Sequence, residues 1–398
     1  MTFLILVSGL ALFLAWNLGA NDVANAMGTS VGSKALTLRQ AIVLAGVLEF
    51  SGAVLFGRQV IATLMRGVVD LELFRPQPQL LLLGMVSVLL TCGLWLQVAT
   101  WQGWPVASSH ATVGAIAGMS CTAFGIRTVH WSVIGLISLT WILTPLLSGL
   151  MAALFYSVVK RNLLEHPHRL EEWLPWLSVV AWLIVGAVVL PQFSALTQGV
   201  PGGTLTVALV GAVIFTLYQW SRVDQDPEAA VEPRMGTFQV LSACMVAFAH
   251  GSNDVGNAVA PLVAIATLYT TGSIPSGDLS APLWILILGG IGITAGLAIS
   301  GRKVISTVGE QIIPLQTSSG FSAELATATT VLLSSRFGLP VSTTHALIGG
   351  VVGIGLVQDW RTIQLTTLRQ IALAWLITIP ISISLSALIF LGLQRLPL

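Results

Sequence analysis

Apolar residues run in long blocks along this chain rather than alternating with polar ones. Twelve blocks stand out, near 2–18, 38–57, 79–100, 104–125, 131–159, 174–190, 204–220, 235–268, 281–300, 305–335, 339–357 and 368–394. A helix rises about 1.5 Å per residue, so blocks of this kind suit a hydrocarbon layer about 30 Å thick. The alternation over about ten residues that marks a β-barrel is missing. The pattern predicts an all-α polytopic membrane protein with about twelve transmembrane segments.

Composition agrees. Of 398 residues, 55% are hydrophobic and 8% charged. Soluble domains carry about 25% charged residues, so this chain cannot cover a water-facing surface. A net charge of +1 gives no bias toward nucleic acid. Cys92, Cys121 and Cys244 lie scattered in apolar blocks without CxxC spacing and read as packing residues. Block 2–18 has the length of a signal-peptide core, and Ala24-Asn25-Ala26 mimics a cleavage site. No basic residue precedes it, however, so it is expected to be a retained first span.

The polar exceptions come in pairs. Gly19-Ala-Asn-Asp-Val-Ala-Asn-Ala26 is matched by Gly251-Ser-Asn-Asp-Val-Gly-Asn-Ala258, 232 residues later. Pro105-Val-Ala-Ser-Ser-His-Ala111 is matched by Pro340-Val-Ser-Thr-Thr-His-Ala346, 235 residues later. Gly57-Arg-Gln-Val and Gly301-Arg-Lys-Val form a weaker third echo. Ordered recurrence at nearly one offset predicts a duplicated chain. The first repeat is residues 1–159. Two connecting helices and a cytoplasmic linker fill 160–234, and the second repeat is 235–398. Seven crossings would separate the two NDVxNA motifs. Seven is odd, so the second repeat is expected to be inverted, with broken or re-entrant helices at the substrate site. That parity fails if the Ser-Ser-His segment re-enters instead of crossing. With the N-terminus outside, eleven Lys and Arg fall inside and six outside, which favours both termini outside. The polar stretch 222–234 reads as a solvated linker.

An ionised Asp in a span is costly and usually faces a cavity or a bound ion. Asp22 and Asp254 each stand between two Asn, at i−1 and i+3. Those positions share a helix face, so Asn21/Asn25 and Asn253/Asn257 are expected to line one surface with amide groups. Carboxylate, amide and backbone oxygens suit a hard cation such as Na⁺. The neighbouring glycines would ease close backbone approach or a helix break. Pro105 and Pro340 suit a first helical turn. The following Ser108, Ser109, Ser342, Thr343 and Thr344 add O–H donors to free backbone N–H groups, and the helix dipole adds positive charge. Two such helix starts facing each other would hold an oxyanion. Co-bound cations or protons would remove its repulsion from the carboxylates, so anion and cation are expected to bind together.

These paired motifs resemble those of the inorganic phosphate transporter family, the PiT or Pho4 group, over nearly the whole chain. The resemblance implies an inverted-repeat membrane fold, import of inorganic phosphate with Na⁺ or H⁺, a homodimer, and residence in the plasma membrane. It places phosphate at Asn25, Ser108, Ser109, Asn257, Thr343 and Thr344. It places the cation or protonation sites at Asn21, Asp22, Asn253 and Asp254. Unlike the larger animal members, this chain lacks a long central cytoplasmic domain. Some relatives resemble sulfate carriers, so sulfate or another oxyanion stays open as substrate. Glu49 is similar to a family glutamate and is a candidate coupling-ion ligand, proton acceptor or structural partner. Glu324 is a candidate for the cytoplasmic gate or for structure alone. His110 and His345 lack the further ligands that a zinc site wants and are expected to position their helices through hydrogen bonds. Substrate contact or protonation is the other role open to them.

No cofactor is expected beyond a co-transported Na⁺ or H⁺, with amide-plus-carboxylate coordination favouring Na⁺. An anion channel is disfavoured by a buried Asp in each repeat. An intramembrane aspartyl hydrolase would need two carboxylates sharing a proton, which the flanking Asn and hydroxyl runs do not suggest. No P-loop is present for ATP-driven pumping. The expectation is a carrier that works by alternating access, not an enzyme.

Overall fold

The computed structural model describes residues 2–58, 71–188, 203–222, 227–274, 281–336 and 342–395. Thirteen α-helices order them. The first seven are α1 (Thr2–Gly32), α2 (Leu38–Phe56), α3 (Pro78–Gln102), α4 (Ser108–Phe124), α5 (Trp131–Val159), α6 (Leu170–Val188) and α7 (Gly203–Trp220). Then come α8 (Pro227–Thr271), α9 (Leu283–Ser300), α10 (Arg302–Glu310), α11 (Thr317–Arg336), α12 (Thr343–Gln358) and α13 (Leu365–Gln394). Eight of them, namely α1, α2, α3, α5, α6, α7, α9 and α13, are long and apolar enough to cross a membrane. The chain is an all-α integral membrane protein.

Close glycine contacts fix the helix directions. A Cβ on Gly292 would strike Ala15, one on Gly296 the Trp16 backbone, one on Gly301 the Val23 side chain and one on Gly309 the Gly28 carbonyl. Thus α9, and α10 beyond it, follow α1 in the same direction. Gly52 meets the Phe248 carbonyl, Gly251 the Glu49 backbone and Gly57 the Val255 side chain, so α2 packs closely along α8. Gly46 faces Thr294 while Gly290 faces Phe50, so α2 and α9 run oppositely. α8 runs opposite to α1: Phe3 at the start of α1 stacks on Tyr269 near the end of α8, and Ser33, just past α1, donates to Gln239 in the first half of α8 at 2.7 Å. The third echo has a physical meaning too: Gly57 packs on Val255 and Gly301 on Val23, the valines of the two NDVxNA motifs.

The blocks 79–100 and 104–125, expected as two crossings, instead form a hairpin. Ser87 meets Ser386 at 3.2 Å and Trp95 donates to Thr378 at 3.2 Å, so α3 runs against α13. Gly114 and Gly118 pack on Ile379 and Ile383, so α4 runs with α13. The chain turns where Gly103 takes a φ of 75° and Pro105 follows. α11 and α12 pair likewise, because the Gln364 N–H donates to the Ile312 carbonyl at 3.0 Å. That bond sets the approach to α11 beside the exit from α12. A hairpin contributes no net crossing where two were counted, so parity is unchanged and α8 still opposes α1.

Three other expectations shift. The first span does not break at its Asn-Asp motif but continues as one helix of 31 residues. The block 305–335 is split between α10 and α11. The stretch 222–234 is helical from Pro227, the start of the 45-residue α8. Its polar residues tie helix ends together. The Glu232 carboxylate accepts from Thr317 Oγ1 at 2.5 Å, Ser318 N at 3.0 Å and Ser318 Oγ at 2.6 Å, capping α11. The buried Arg234 guanidinium donates to the Gln219 and Arg222 carbonyls at the end of α7. Below it, Phe238 and Phe321 join α8 to α11 in a second apolar cluster.

Backbone-to-backbone approach leaves no room for a side chain. Gly296→Val is expected to destabilise the protein by about 1–3 kcal/mol or more, as overpacking does. Gly9→Val, with nothing within 4 Å of the added Cβ, is expected to be neutral. Thermal unfolding in detergent checks the pair.

Candidate functional site

The two hairpin tips meet beside the middle of α1 and α8. At tip 1, the Asn21 side chain donates to Trp104 O at 2.9 Å and Thr100 Oγ1 at 3.3 Å, and accepts from Val106 N at 3.0 Å. Its amide is thus spent on holding the turn between α3 and α4. One residue on, Asp22 is buried, and neither carboxylate oxygen is within hydrogen-bonding geometry of a donor among the described residues. Ser108 of α4 lies beside it. Asn25 donates to Thr344 Oγ1 of tip 2 at 2.8 Å, while its Oδ1 is buried without a partner. α1 therefore touches both tips, through residues four apart on one face.

α8 presents the second motif differently. His250 Nδ1 lies 2.7 Å from Asp254 Oδ2, and His250 Nε2 lies 3.3 Å from Thr343 Oγ1. Asn257 is buried and Asn253 exposed. Glu49 of α2 is buried, with Oε1 unpartnered. Asp22, Glu49, Asp254 and His250 act electrostatically on one another, so three carboxylates and one imidazole share this space.

The tips supply donors. α4 starts after Ala107, whose side chain cannot cap it, so its first N–H groups are left for another acceptor. Ser108 is buried and Ser109 half-buried. At α12, Ser342 accepts from His345 N at 3.3 Å, with Thr343 half-buried and Thr344 buried behind it. Pro340 lies outside the described residues. Unpartnered carboxylate and amide oxygens beside free N–H and O–H donors can hold a hard cation and an oxyanion side by side. Among the described residues, no set of three His, Cys, Asp or Glu side chains could hold a metal ion.

The remaining candidates lie further out. Glu324 sits toward the C-terminal end of α1, where Thr29, Ser30, Gln239 and Ser242 donate to its carboxylate. His110 and His345 are buried and meet ring to ring at 5.1 Å. Hydrogen bonding does not hold them as expected: neither His345 ring nitrogen has a partner, nor does His110 Nδ1. Aromatic packing does so instead. Sequence reasoning passed over His250. Its signal was a histidine within an apolar block, four residues before Asp254 and so on the same helix face.

Residues 18–386 match the phosphate transporter family. The chain belongs to that family. It is 36% identical to the inorganic phosphate transporter 2-1, chloroplastic, of Arabidopsis thaliana, over 94% of this chain and 70% of that protein. It is 35% identical to a putative phosphate permease of Pyrococcus abyssi, over 98% of this chain and 97% of that one. Its structure is similar to one described as the sodium-dependent phosphate transporter, with a TM-score of 0.87 and 34% identity over 99% of both chains. These relatives are transporters and permeases rather than enzymes.

Within a phosphate transporter, the His250–Asp254 pair fixes one carboxylate that would otherwise stand alone. Removing one partner of a buried pair costs about 3–5 kcal/mol. His250→Phe is expected to lower thermal stability and phosphate uptake. Adding Asp254→Asn should recover most of the stability but not the uptake. Unfolding and uptake measured on the same three variants check this.

Proposed function

We propose that this phosphate transporter is a Na⁺-coupled symporter that works by alternating access. The observation that carries the reading is Asp22, a buried carboxylate with no hydrogen-bond partner, set beside the donor-rich start of α4. An ionised carboxylate cannot remain so without a counter-charge. Na⁺ supplies one, and Asn25 Oδ1 offers a further unpartnered ligand. With the carboxylates compensated, phosphate is accepted by Ser108 and Ser109 from one hairpin and Thr343 and Thr344 from the other. Coupling follows because the anion is repelled until the cation is bound. Glu49 and Asp254 belong to the same charge set, and Asn253 and Asn257 complete the face of α8. The structural neighbour is described as sodium-dependent, which supports Na⁺ over H⁺.

The architecture supports an inverted pair of repeats, 1–159 and 235–398, joined through 160–234. α1 against α9 has its counterpart in α8 against α2, and α4 against α13 in α12 against α5. Hairpin 1 enters from the face where α1 begins and hairpin 2 from the face where α1 ends. Shifting the tips relative to α1 and α8 would open the site to either face in turn. The basic bias places both termini outside the cell membrane, and family resemblance suggests a homodimer.

Proteoliposomes test the proposal. An inward Na⁺ gradient at equal pH is expected to drive radiolabelled phosphate above equilibrium, with excess unlabelled sulfate competing poorly. Accumulation driven only by an inward H⁺ gradient would replace Na⁺ by protons at the carboxylates. Asp22→Asn and Asp254→Asn are each expected to cut coupled uptake by at least tenfold while leaving folded protein in the membrane. Normal transport by both would remove the site assignment.

A further inference from the structure

Four aromatic rings run directly behind the hydroxyl residues. Trp375 lies 3.8 Å from His345, His345 5.1 Å from His110, and His110 4.9 Å from Trp141, centroid to centroid. His110 follows Ser109 and His345 follows Thr344 in the chain, so the row joins the two starts that supply the phosphate donors. The placement crosses over. Trp375 stands on α13, which packs along α4 of hairpin 1, yet its ring meets His345 of hairpin 2. Trp141 stands on α5, which packs along α12 of hairpin 2, yet its ring meets His110 of hairpin 1. Trp375 also donates from Nε1 to the Pro105 carbonyl at 2.8 Å, so this one side chain holds both tips. Trp141 Nε1 is buried and has no partner among the described residues, which do not include Pro340, the counterpart of Pro105.

We propose that Trp375, backed by Trp141 through the two histidines, is a positioning residue that makes the hairpin tips move as one unit. The inference rests on the transport reading above and adds a mechanical condition to it. Hydroxyls from two hairpins can close on one anion only if their spacing is held. Neither tip is covalently tied to the other nearby, and no hydrogen bond links the histidines. A donor fixed to Pro105 and a ring seated on His345 transmit displacement of either tip to its partner. Local packing alone would stabilise only the hairpin on which each tryptophan's own helix lies.

Hydrogen exchange of the detergent-solubilised protein separates these readings without relying on transport. Trp375→Phe keeps a ring and loses the donor, Trp375→Leu loses both, and Trp176→Phe, at a position 67% exposed, is the control. The expected result is faster exchange at both tips, in peptides spanning 105–111 and 342–346, with the Leu variant exceeding the Phe variant. In proteoliposomes, the phosphate half-saturation of Trp375→Phe is expected to rise about three- to tenfold, the scale of one lost hydrogen bond, with that for Na⁺ unchanged. Faster exchange confined to the 105–111 peptide, or unchanged exchange at both tips, would overturn the brace. So would an unaltered phosphate half-saturation. If wild-type protein carried no phosphate under any gradient, the transport reading would fall, while the exchange comparison would still decide whether the tips are linked.

Discussion

A carboxylate without a partner in the interior of a membrane protein is the constraint on which this structure turns. Asp22 is buried, both its oxygens are unmatched, and the apolar surroundings cannot solvate them. The rest of the site can be read as what such a group requires. The amide of Asn25, three residues away, stands ready to share a cation, and a helix start beside it can accept an anion once the charge is balanced. The backbone accommodates this without breaking α1. Small residues let α1 and α9 approach until only glycine fits between them, which leaves the polar face of α1 to the hairpin tips.

Duplication supplies two such faces, and the differences between them carry information. Asn21 is consumed by tip 1, whereas its counterpart Asn253 is exposed. Leu18 stands where the second repeat has His250, so Asp254 has an ionisable partner four residues away on its own helix and Asp22 does not. Backbone contact pairs Gly251 with Glu49 and Gly19 with Ile293, so a third carboxylate enters on one side only. An equal pair of sites would offer two identical ion positions. This arrangement pairs one carboxylate with an imidazole on its own helix and leaves the other without such a partner.

Much of this was legible in the sequence because duplication marks itself. The all-α class followed from block length and scarce charge, and the opposed directions of α1 and α8 from the odd number of segments between the NDVxNA motifs. Hydropathy could not tell crossing from re-entry. α3 is long and apolar enough to be a true span, and what turns the chain back after it is Gly103 with Pro105 and the bonds Asn21 makes to the turn. The helical start of α8 was hidden because Glu232 and Arg234 look solvated in sequence, whereas both cap or tie the ends of other helices. The aromatic row was illegible for a similar reason. Trp141 and Trp375 recur 234 residues apart, like the paired motifs, but each stands on another helix from the histidine it touches, and spacing alone does not say that their rings cross between the hairpins.

Arsenate offers the most direct measurement, since it matches phosphate in shape and charge and scatters anomalously. Crystals grown with Na⁺ and arsenate should show one anomalous peak between the hairpin tips, within hydrogen-bond reach of Ser108 or Ser109 and of Thr343 or Thr344. Replacing Na⁺ with a large organic cation should remove it. A peak elsewhere with none between the tips, or a tip peak that persists without Na⁺, would contradict the account.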